Sequence, residues 1–570
     1  MKHLTDHRDN INYTIILWFL VFLLIPLLSN AATFTVTNTD DSGGGSLRQA
    51  LTDANSTSGN DMINFSLSSL SEATITLRSA LPIITEGITL EGPTGTRVTI
   101  DANGTERVFN IDSPGNNQTI TMSRLVIKGA NSGGLNGGGI FVGMGDTFNL
   151  TNASIESNSS GTGPGGGIFS QGTTSLTGVT ISENTAGTDG GGIYIASGNM
   201  TVTNSTISGN TANRDGGGVF YNGGVITLNN VTITNNTADN DYPMNTAGDG
   251  GGIAGGGVIL SGSINVINTI VAGNVDKDNG DSGHVTFAPD CSTLISPIYS
   301  LIGNRNHCSF SISSDSDLNN IITNRNAQLS ILANNGGFTK THSLQAGSPA
   351  VDRGNSATEG ENLCVSSDQR GFARPKDGDN NGSARCDMGA FEVGCGDSIV
   401  QSGAGEECDD GNTINTDACT NTCKNARCGD GIVGPGEACD DGNTINTDAC
   451  TNSCQLARCG DGIVGPGEAC DDGNTNNTDA CSNTCVLTTS GTGGSGGSGG
   501  TGGTSGSGGS GTGGTSSTGG TSGASGTGGA STGGSSGTGG TTGSTGSGGN
   551  PPTPDVSSNS GSGGCSLINF

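Results

Sequence analysis

Short segments rich in valine, isoleucine and threonine alternate with glycine- and asparagine-rich corners through the first half of the chain. Glycine trios followed by an apolar residue recur, beginning at Gly137, Gly165, Gly190, Gly216 and Gly250. A second element ends in an asparagine every 26 residues, at Asn158, Asn184, Asn210 and Asn236. Alternating apolar and β-branched residues predict strands, and Gly and Asn predict the turns between them. We therefore interpret each repeat as one coil of a solenoid.

A single coil of this kind cannot bury its apolar face, so it has to stack on its neighbours. The pattern thus predicts an all-β fold, a parallel β-helix over residues 32–290. With strands about 4.8 Å apart, roughly ten coils would form a rod on the order of 50 Å long. Asparagines at one coil position can hydrogen-bond through their side chains from coil to coil, and asparagine tolerates the left-handed backbone of a corner. We expect the asparagine column to be structural.

The N-terminal end of such a solenoid needs a cap, because open strand edges invite pairing with other chains. Residues 46–55, SLRQALTDAN, predict a short capping helix. Ser46 and Gln49 have the spacing of a capping box. Four apolar residues fall on one face of this helix, namely Leu47, Ala50, Leu51 and Ala54.

Three segments, at residues 33–55, 75–93 and 107–111, resemble the opening of bacterial secreted proteins of the pectin-lyase-like superfamily. The alternation of GGGI and TISxN is also similar to the repeats of polymorphic outer-membrane proteins. These resemblances imply a right-handed parallel β-helix and an exported location. They imply no single activity, since the superfamily includes lyases, hydrolases, adhesins and inert scaffolds.

Three later segments resemble the choice-of-anchor Q domain that ends such chains. They are SPAVDRG at 348–354, DQRGFARPKDG at 368–378 and CDMGAFE at 386–392. The resemblance implies that residues 291–392 form a C-terminal β-helix and anchor-like region.

The composition changes sharply after residue 392, where three cysteine-rich repeats occupy residues 393–487. They span residues 395–423, 428–454 and 459–485, and the last two share the spacing C-x10-C-x10-C-x3-C. They resemble the Myxococcus-type cysteine-rich repeat, also described as DUF4215. Such short units, with almost no aromatic residues, are expected to be stabilised by disulfides rather than by apolar burial. Zinc is the competing interpretation, which the lack of paired CxxC spacings disfavours.

Seventeen cysteines in an exported chain predict disulfides, with one residue left over. The expected disulfide cysteines are Cys395, Cys408, Cys419, Cys423, Cys428, Cys439, Cys450, Cys454, Cys459, Cys470, Cys481 and Cys485, together with Cys291, Cys308, Cys364 and Cys386. The pattern leaves their connectivity open. The remaining Cys565 begins a short ending, residues 565–570, that resembles a truncated sorting signal. Cys565 is therefore a candidate anchor.

The two ends of the chain have compositions unlike the rest. Residues 1–31 contain an apolar run from Ile15 to Leu28 followed by small residues, which predicts a cleaved secretory signal peptide. An uncleaved membrane anchor is the alternative. Residues 488–564 are almost entirely Gly, Ser and Thr, which predicts a disordered linker.

Composition and charge narrow the class further. The 570 residues include 104 glycines and 4% aromatic residues, and the formal net charge is -30. So few large side chains cannot fill one conventional core, which favours an elongated repeat. The charge excludes a nucleic-acid partner, because phosphate contacts need clustered Lys and Arg.

Aspartates precede three of the glycine trios, at Asp189, Asp215 and Asp249. Stacked carboxylates predict either a Ca²⁺ site or a set of corners whose side chains accept backbone N–H groups. The corner interpretation is favoured because the spacing changes from 26 to 34 residues. Arg214 is the basic residue that a polysaccharide lyase would need, so Asp189, Arg214 and Asp215 are weak catalytic candidates.

Other candidate side chains are fewer. Glu156 and Glu183 are the remaining carboxylates for a glycosidase pair. The mature chain has three histidines, His284, His307 and His342, and none has metal-pair spacing. Four aromatic residues follow glycine trios in register and predict a packed stack rather than a sugar-lined groove, namely Phe141, Phe169, Tyr194 and Phe220.

Each cysteine-rich repeat also has an acidic CDDGN loop. Adjacent carboxylates with an asparagine oxygen predict a weak Ca²⁺ site or, equally, a solvated turn. The candidate ligands are Asp409, Asp410, Asn412, Asp440, Asp441, Asn443, Asp471, Asp472 and Asn474. Ca²⁺ is the single cofactor that the sequence suggests.

We interpret the chain as an exported protein of the extracellular space or the bacterial cell surface, associated with the outer membrane. A non-catalytic β-helix rod would serve adhesion or bind a glycan, a protein or Ca²⁺, with the cysteine-rich repeats as spacers. The alternative is a carbohydrate-active enzyme, a polysaccharide lyase or glycoside hydrolase acting on the β-helix face. Membrane association is expected through Cys565 alone.

Overall fold

The computed structural model describes residues 31–488 with short gaps. The gaps are residues 68–70, 114, 116, 240–249, 256–262, 278–287, 312–319, 357–362, 380, 398–399, 401–405 and 413. Most of the predicted signal peptide (up to residue 30), the predicted linker beyond residue 488 and the anchor candidate Cys565 lie outside the described residues, as do Asp249 and His284. Among the residues described, no helix has the length and apolarity needed to cross a membrane.

Parallel strands stack in register along the first of four ladders. Each strand pairs in parallel with its neighbour one coil away. The ladder consists of β1 (Thr33–Val36), β2 (Asp61–Phe65), β4 (Ile88–Glu91), β7 (Thr119–Ser123), β10 (Thr147–Thr151), β13 (Thr173–Thr177), the first halves of β17 (Asn199–Ser208) and β20 (Val225–Thr234), β23 (Ser263–Ile267), β26 (Leu294–Ile298) and β28 (Ser309–Phe310).

A second ladder follows the first around a corner of each coil. It consists of β3 (Glu72–Thr76), β5 (Arg97–Asp101), β8 (Leu125–Lys128), β11 (Ser154–Glu156), β14 (Thr180–Ser182), the second halves of β17 and β20, β24 (Ile270–Val271), β27 (Leu301–Ile302) and β29 (Ile322–Thr323). Because β17 and β20 run through the corner, the two ladders form one sheet of 19 strands.

Two further ladders close the coils. The third consists of β6 (Phe109–Ile111), β9 (Ile140–Val142), β12 (Ile168–Ser170), β16 (Ile193–Ile195), β19 (Val219–Tyr221) and β22 (Ile253–Gly255). The fourth consists of β15 (Thr185–Ala186), β18 (Thr211–Ala212), β21 (Thr237–Ala238) and β25 (Val275–Asp276). The predicted all-β parallel β-helix is confirmed.

The core lies inside the coils, where alternate residues of each strand point inward. Phe148 and Leu150 of β10 are both fully buried, whereas the residues between and beside them are half-buried. Burying apolar area in this way contributes about 25 cal/mol per Å². The solenoid continues beyond residue 290, because β26 and β27 pair with β23 and β24 of the preceding coil.

Helix α1 (Leu47–Ala54) caps the N-terminal end, as predicted, and packs against β1 and β2. The Ser46 side chain accepts the Gln49 N–H at 3.2 Å. The Gln49 side chain donates instead to Asp53, and the Ser46 N–H donates to the Gly43 carbonyl. The predicted capping box is therefore only half formed, because a nearer turn carbonyl satisfies the second N–H.

The asparagine column forms the predicted side-chain ladder. Asn158, Asn184 and Asn210 each donate from Nδ2 to the Oδ1 of the next asparagine, at 3.0, 2.9 and 2.8 Å. The left-handed corner is not at these residues but one position earlier, at Ser157 and Glu183 among others. The expectation that the column asparagines adopt the left-handed conformation is therefore wrong.

The segment after β29 folds back over the second ladder. A second apolar cluster forms there, in which Met388 and Phe391 pack with Ile270 and Leu301 of the solenoid. The cysteine-rich repeats follow with little regular structure, each closed by a short antiparallel bridge such as that from Cys450 to Leu456.

All sixteen predicted disulfide cysteines are paired. The pairs are Cys291–Cys308, Cys364–Cys386, Cys395–Cys423, Cys408–Cys419, Cys428–Cys454, Cys439–Cys450, Cys459–Cys485 and Cys470–Cys481. Within each repeat the first cysteine bonds to the fourth and the second to the third. The disulfide interpretation of the repeats is confirmed.

Candidate functional site

Asp189, Arg214 and Asp215 meet at one corner of the solenoid. Asp189 Oδ1 accepts the Asp215 N–H at 3.2 Å, and Arg214 Nε lies 3.4 Å from the same oxygen. Arg214 Nη2 lies 4.0 Å from Asp215 Oδ2. Burial raises the pKa of Asp189, and the attraction of Arg214 opposes that shift. The corner therefore holds its own counter-ion.

This geometry matches the corner interpretation of the column, since the Asp189 side chain accepts a backbone N–H of the next coil. The acidic groups whose ligand atoms converge closely enough for a metal ion, among the residues described, do not include Asp189 or Asp215. A catalytic role for these residues stays a prediction. The other candidate carboxylates, Glu156 and Glu183, each contact a different group. Glu156 lies 4.0 Å from Lys340 Nζ, and Glu183 accepts the Ser157 hydroxyl.

The predicted aromatic stack is present next to this corner. The rings of Phe141, Phe169, Tyr194 and Phe220 lie parallel, with centroids 5.7, 4.9 and 5.0 Å apart in that order. The Arg107 guanidinium covers the Phe141 end at 5.0 Å. The inner faces of the four rings meet one another and Arg107 covers the outer face of Phe141, so these faces are not open to a sugar.

The first ladder presents a different surface, which we call the hydroxyl face. It consists of the fifteen outward residues of β7, β10, β13 and the first halves of β17 and β20, all exposed or half-buried. They are Thr119, Thr121, Ser123, Thr147, Asn149, Thr151, Thr173, Ser175, Thr177, Asn199, Thr201, Thr203, Val225, Thr227 and Asn229. Every position except Val225 has a hydroxyl or amide, and none has a charge.

The second ladder is covered by the C-terminal segment. Thr206 donates to Gln369 Oε1 at 2.6 Å, and Gln369 Nε2 donates to the Thr180 hydroxyl at 2.9 Å. The Ser208 hydroxyl lies 2.8 Å from His342 Nε2. Burial lowers the pKa of His342. This histidine therefore joins the segment to the solenoid.

A buried network of charged groups holds the C-terminal segment, and sequence reasoning missed it. Arg374 Nε lies 3.4 Å from Glu392 Oε2, and that oxygen also accepts the Asp387 N–H. Arg370 pairs with Asp368 at 2.7 Å and lies 3.6 Å above the Phe391 ring. Burial raises the pKa of Glu392 to about 7 and that of Asp387 well above its usual range. The available signal was the two arginines of DQRGFARP and the two acidic residues of CDMGAFE.

A second missed group could hold a divalent cation. Asp352, Asp377 and Asp379 offer carboxylate oxygens that all lie within 4.8 Å of one another. Burial and the like charge of Asp379 raise the pKa of Asp352 to about 6. The spacing Asp-x-Asp-x-Asn-Gly at residues 377–382 is typical of the start of a Ca²⁺ loop and was the available signal.

The predicted Ca²⁺ loops of the cysteine-rich repeats have their first carboxylate engaged by the backbone. Asp440 accepts the N–H groups of Gly429, Gly431 and Gly442 at 2.6, 2.7 and 2.8 Å, and these bonds lower its pKa. Asp471 repeats the arrangement one repeat later.

The other proposed ligands of these loops make local bonds too. The side-chain oxygens of Asn412, Asn443 and Asn474 each accept the N–H two residues on. In the first repeat Asp409 accepts the N–H groups of Gly396 and Gly411, and Asp410 accepts that of Asn412. The geometry favours turns, while Ca²⁺ binding, including by Asp441 and Asp472, stays a prediction.

Comparisons with known proteins agree with parts of this description. Residues 392–424, 420–455 and 456–486 match the family "Domain of unknown function (DUF4215)", which confirms the predicted resemblance of the repeats. A stretch of 37 residues is 70% identical to the acetylcholinesterase collagenic tail peptide of Torpedo marmorata, covering 6% of this chain and 8% of that relative. The crystal structure of pectate lyase Pel9A is similar at 13% identity and a TM-score of 0.37, over 64% of this chain and 98% of that one.

Proposed function

We propose that this protein is an exported, non-catalytic surface protein whose β-helix binds extracellular glycans through the hydroxyl face. The observation that carries the proposal is the composition of that face. Fourteen of its fifteen positions have a hydroxyl or amide, in a chain of net charge -30. An uncharged donor and acceptor surface of this kind suits the hydroxyl groups of a sugar chain.

Rigidity and repetition support the same proposal. Threonine is restricted about χ1, so its hydroxyl loses little freedom on binding. A single hydrogen bond contributes only about 1 kcal/mol net, so useful affinity requires many contacts along one glycan. Strands in register present equivalent hydroxyls from coil to coil, as at Thr147 and Thr173.

The non-catalytic part of the proposal is supported by the Asp189 corner. Arg214 lies against both aspartates there, so neither the base of a lyase nor the open acid and base of a hydrolase is available without breaking an ion pair. The C-terminal segment also occupies the second ladder.

Export and surface display are supported by the disulfides. Eight of them suggest an oxidising environment such as the extracellular space. We propose that the DUF4215 repeats are spacers between the β-helix and an attachment point.

The test compares two matched substitutions in the mature full-length protein. Thr201→Arg places a bulky charge at an exposed middle position of β17 on the hydroxyl face, and Thr185→Arg places it at an exposed position of the fourth ladder. We expect co-sedimentation with insoluble polysaccharides to be lost in Thr201→Arg and kept in Thr185→Arg. The same samples are assayed for new reducing ends and unsaturated uronates. Product release that Arg214→Ala abolishes would overturn the non-catalytic proposal, and equal binding by both threonine variants would overturn the role of the face.

A further inference from the structure

A cleft of about 500 Å³ opens where the asparagine ladder ends. Its walls come from the corner at Thr234 and Asn235, the turn at Asn304 and the stretch from Arg325 to Ser330. Two other clefts in the described part of the chain are smaller, about 270 and 240 Å³. A cavity of this size, with convergent polar groups, falls within the range of small-ligand sites.

The ladder ends at the cleft because its last member is a carboxylate. Asn236 donates to Asn274, and Asn274 donates from Nδ2 to Asp290 Oδ1 at 2.9 Å. A carboxylate has no donor to pass on, so the chain of amides stops there. Asp290 Oδ2 accepts the Asn304 N–H instead. Asp290 is 2% exposed, and burial raises its pKa to about 6.

The chemistry of the lining is mixed rather than anionic or cationic. Arg325 is exposed and Asp290 is buried, so one charge of each sign lines the cleft. Asn235, Asn304 and Asn326 add amides to the walls, and a small apolar part comes from Ala272, Pro289 and Leu329. Amide and guanidinium groups bind the adjacent hydroxyls of a sugar, and apolar side chains contact its C–H face.

We propose that this cleft binds one uncharged sugar unit of an oligosaccharide, held by Arg325 and the amides of Asn304 and Asn326. A neutral sugar is favoured over an acidic one because the cleft has balanced charges and the whole chain repels polyanions. The inference rests on the proposed glycan binding and assigns it a second, separate site.

The test measures binding of soluble neutral oligosaccharides (cellohexaose, xylohexaose and mannohexaose) and of hexagalacturonate to the mature full-length protein by calorimetry. The variants are Arg325→Ala and Asn304→Ala in the cleft, Thr201→Arg on the hydroxyl face and the remote, exposed Arg78→Ala as control. We expect a neutral oligosaccharide to bind, with affinity lowered about tenfold or more by each cleft substitution and unchanged by Arg78→Ala.

The outcomes separate the two proposals. If only the cleft variants lose binding of neutral oligosaccharides, the result supports the proposed sugar site in the cleft. The hydroxyl face is then tested by the co-sedimentation assay with polysaccharides. Binding lost in Thr201→Arg but unchanged in both cleft variants overturns the cleft and keeps the proposed function. Binding of hexagalacturonate alone, lost in Arg325→Ala, overturns the assignment to uncharged sugars. If no oligosaccharide binds while insoluble polysaccharides still co-sediment, the cleft proposal alone is wrong; if neither oligosaccharides nor polysaccharides bind, both proposals are wrong.

Discussion

The asparagine ladder gives the most direct test of what stabilises the coils. Asn210 is fully buried, and its Oδ1 accepts the N–H and the Nδ2–H of Asn184 at 3.0 and 2.9 Å. Its Nδ2 donates to the Ile181 carbonyl and to Asn236 Oδ1 at 2.9 and 2.8 Å. Asn210→Ala removes all four bonds. The Asn184 N–H loses its acceptor, Asn210 Oδ1, while Asn184 Nδ2 keeps its bond to the Ile155 carbonyl.

These losses set the expected magnitude. A buried donor left without a partner costs about 1–3 kcal/mol, and each weakened group costs roughly 0.5–1 kcal/mol more. Asn210→Ala should therefore lower the local stability of its coil by about 4 kcal/mol. The control is Asn222→Ala, which makes the same substitution at an exposed corner two strands away.

Native-state hydrogen exchange measures this loss coil by coil, which suits a repeat protein better than a global unfolding curve. Amides of β14, β17 and β20 should exchange with an opening free energy about 4 kcal/mol lower in Asn210→Ala than in the control. An equal opening free energy, within about 0.5 kcal/mol, would mean that the ladder adds no net stability over water-bonded amides and that the reasoning is wrong.

Three further tests address the charged and disulfide-bonded parts of the protein. Burial raises the pKa of Glu392 from 4.5 to about 7, so the stability that this carboxyl contributes is fully present below about pH 4.5 and is lost as pH rises through 7. The opening free energy of the C-terminal segment, measured by hydrogen exchange, should therefore fall by about 3 kcal/mol over this pH range, and it should not do so in Glu392→Gln. Replacing Cys439 and Cys450 by serine opens one repeat and should lower the local stability of that repeat by roughly 3 kcal/mol, measured by exchange, while the other repeats are unchanged. Arg214→Met removes the counter-ion of Asp189, so the pKa of Asp189 rises further. The melting temperature should therefore fall more at pH 7 than at pH 4. Arg214→Lys keeps a positive charge and should retain most of the wild-type melting temperature.

The sequence predicts what repeats and little of what does not. The coil length, the aromatic stack and the asparagine ladder follow from spacing, because equivalent positions of stacked coils must meet. The spacing does not predict the last member of the ladder, since Asp290 follows Asn274 by 16 residues rather than 26. The left-handed residue was misplaced by one position because both Ser157 and Asn158 lie at the corner, and asparagine has the stronger preference.

Contacts between distant segments were beyond sequence reasoning. Thr206 and Gln369 meet across 163 residues, and nothing in either local pattern indicates the other. The Asp352 group joins a residue of one turn to the loop at 377–382 in the same way. For such groups a sequence motif indicates the residues that are close together in the chain, and the fold determines which distant residues join them.

The stacked architecture itself limits the chemistry that its faces can perform. A charge repeated at one coil position faces its own copy about 4.8 Å away, which costs energy unless a counter-ion intervenes, as Arg214 does for Asp189 and Asp215. Amides, hydroxyls and aromatic rings pair with copies of themselves, and these groups fill the columns of this protein. A face built from such columns is uncharged although the chain is strongly acidic. For such a face we expect uncharged polar partners, and this expectation underlies the glycan binding that we propose for the hydroxyl face.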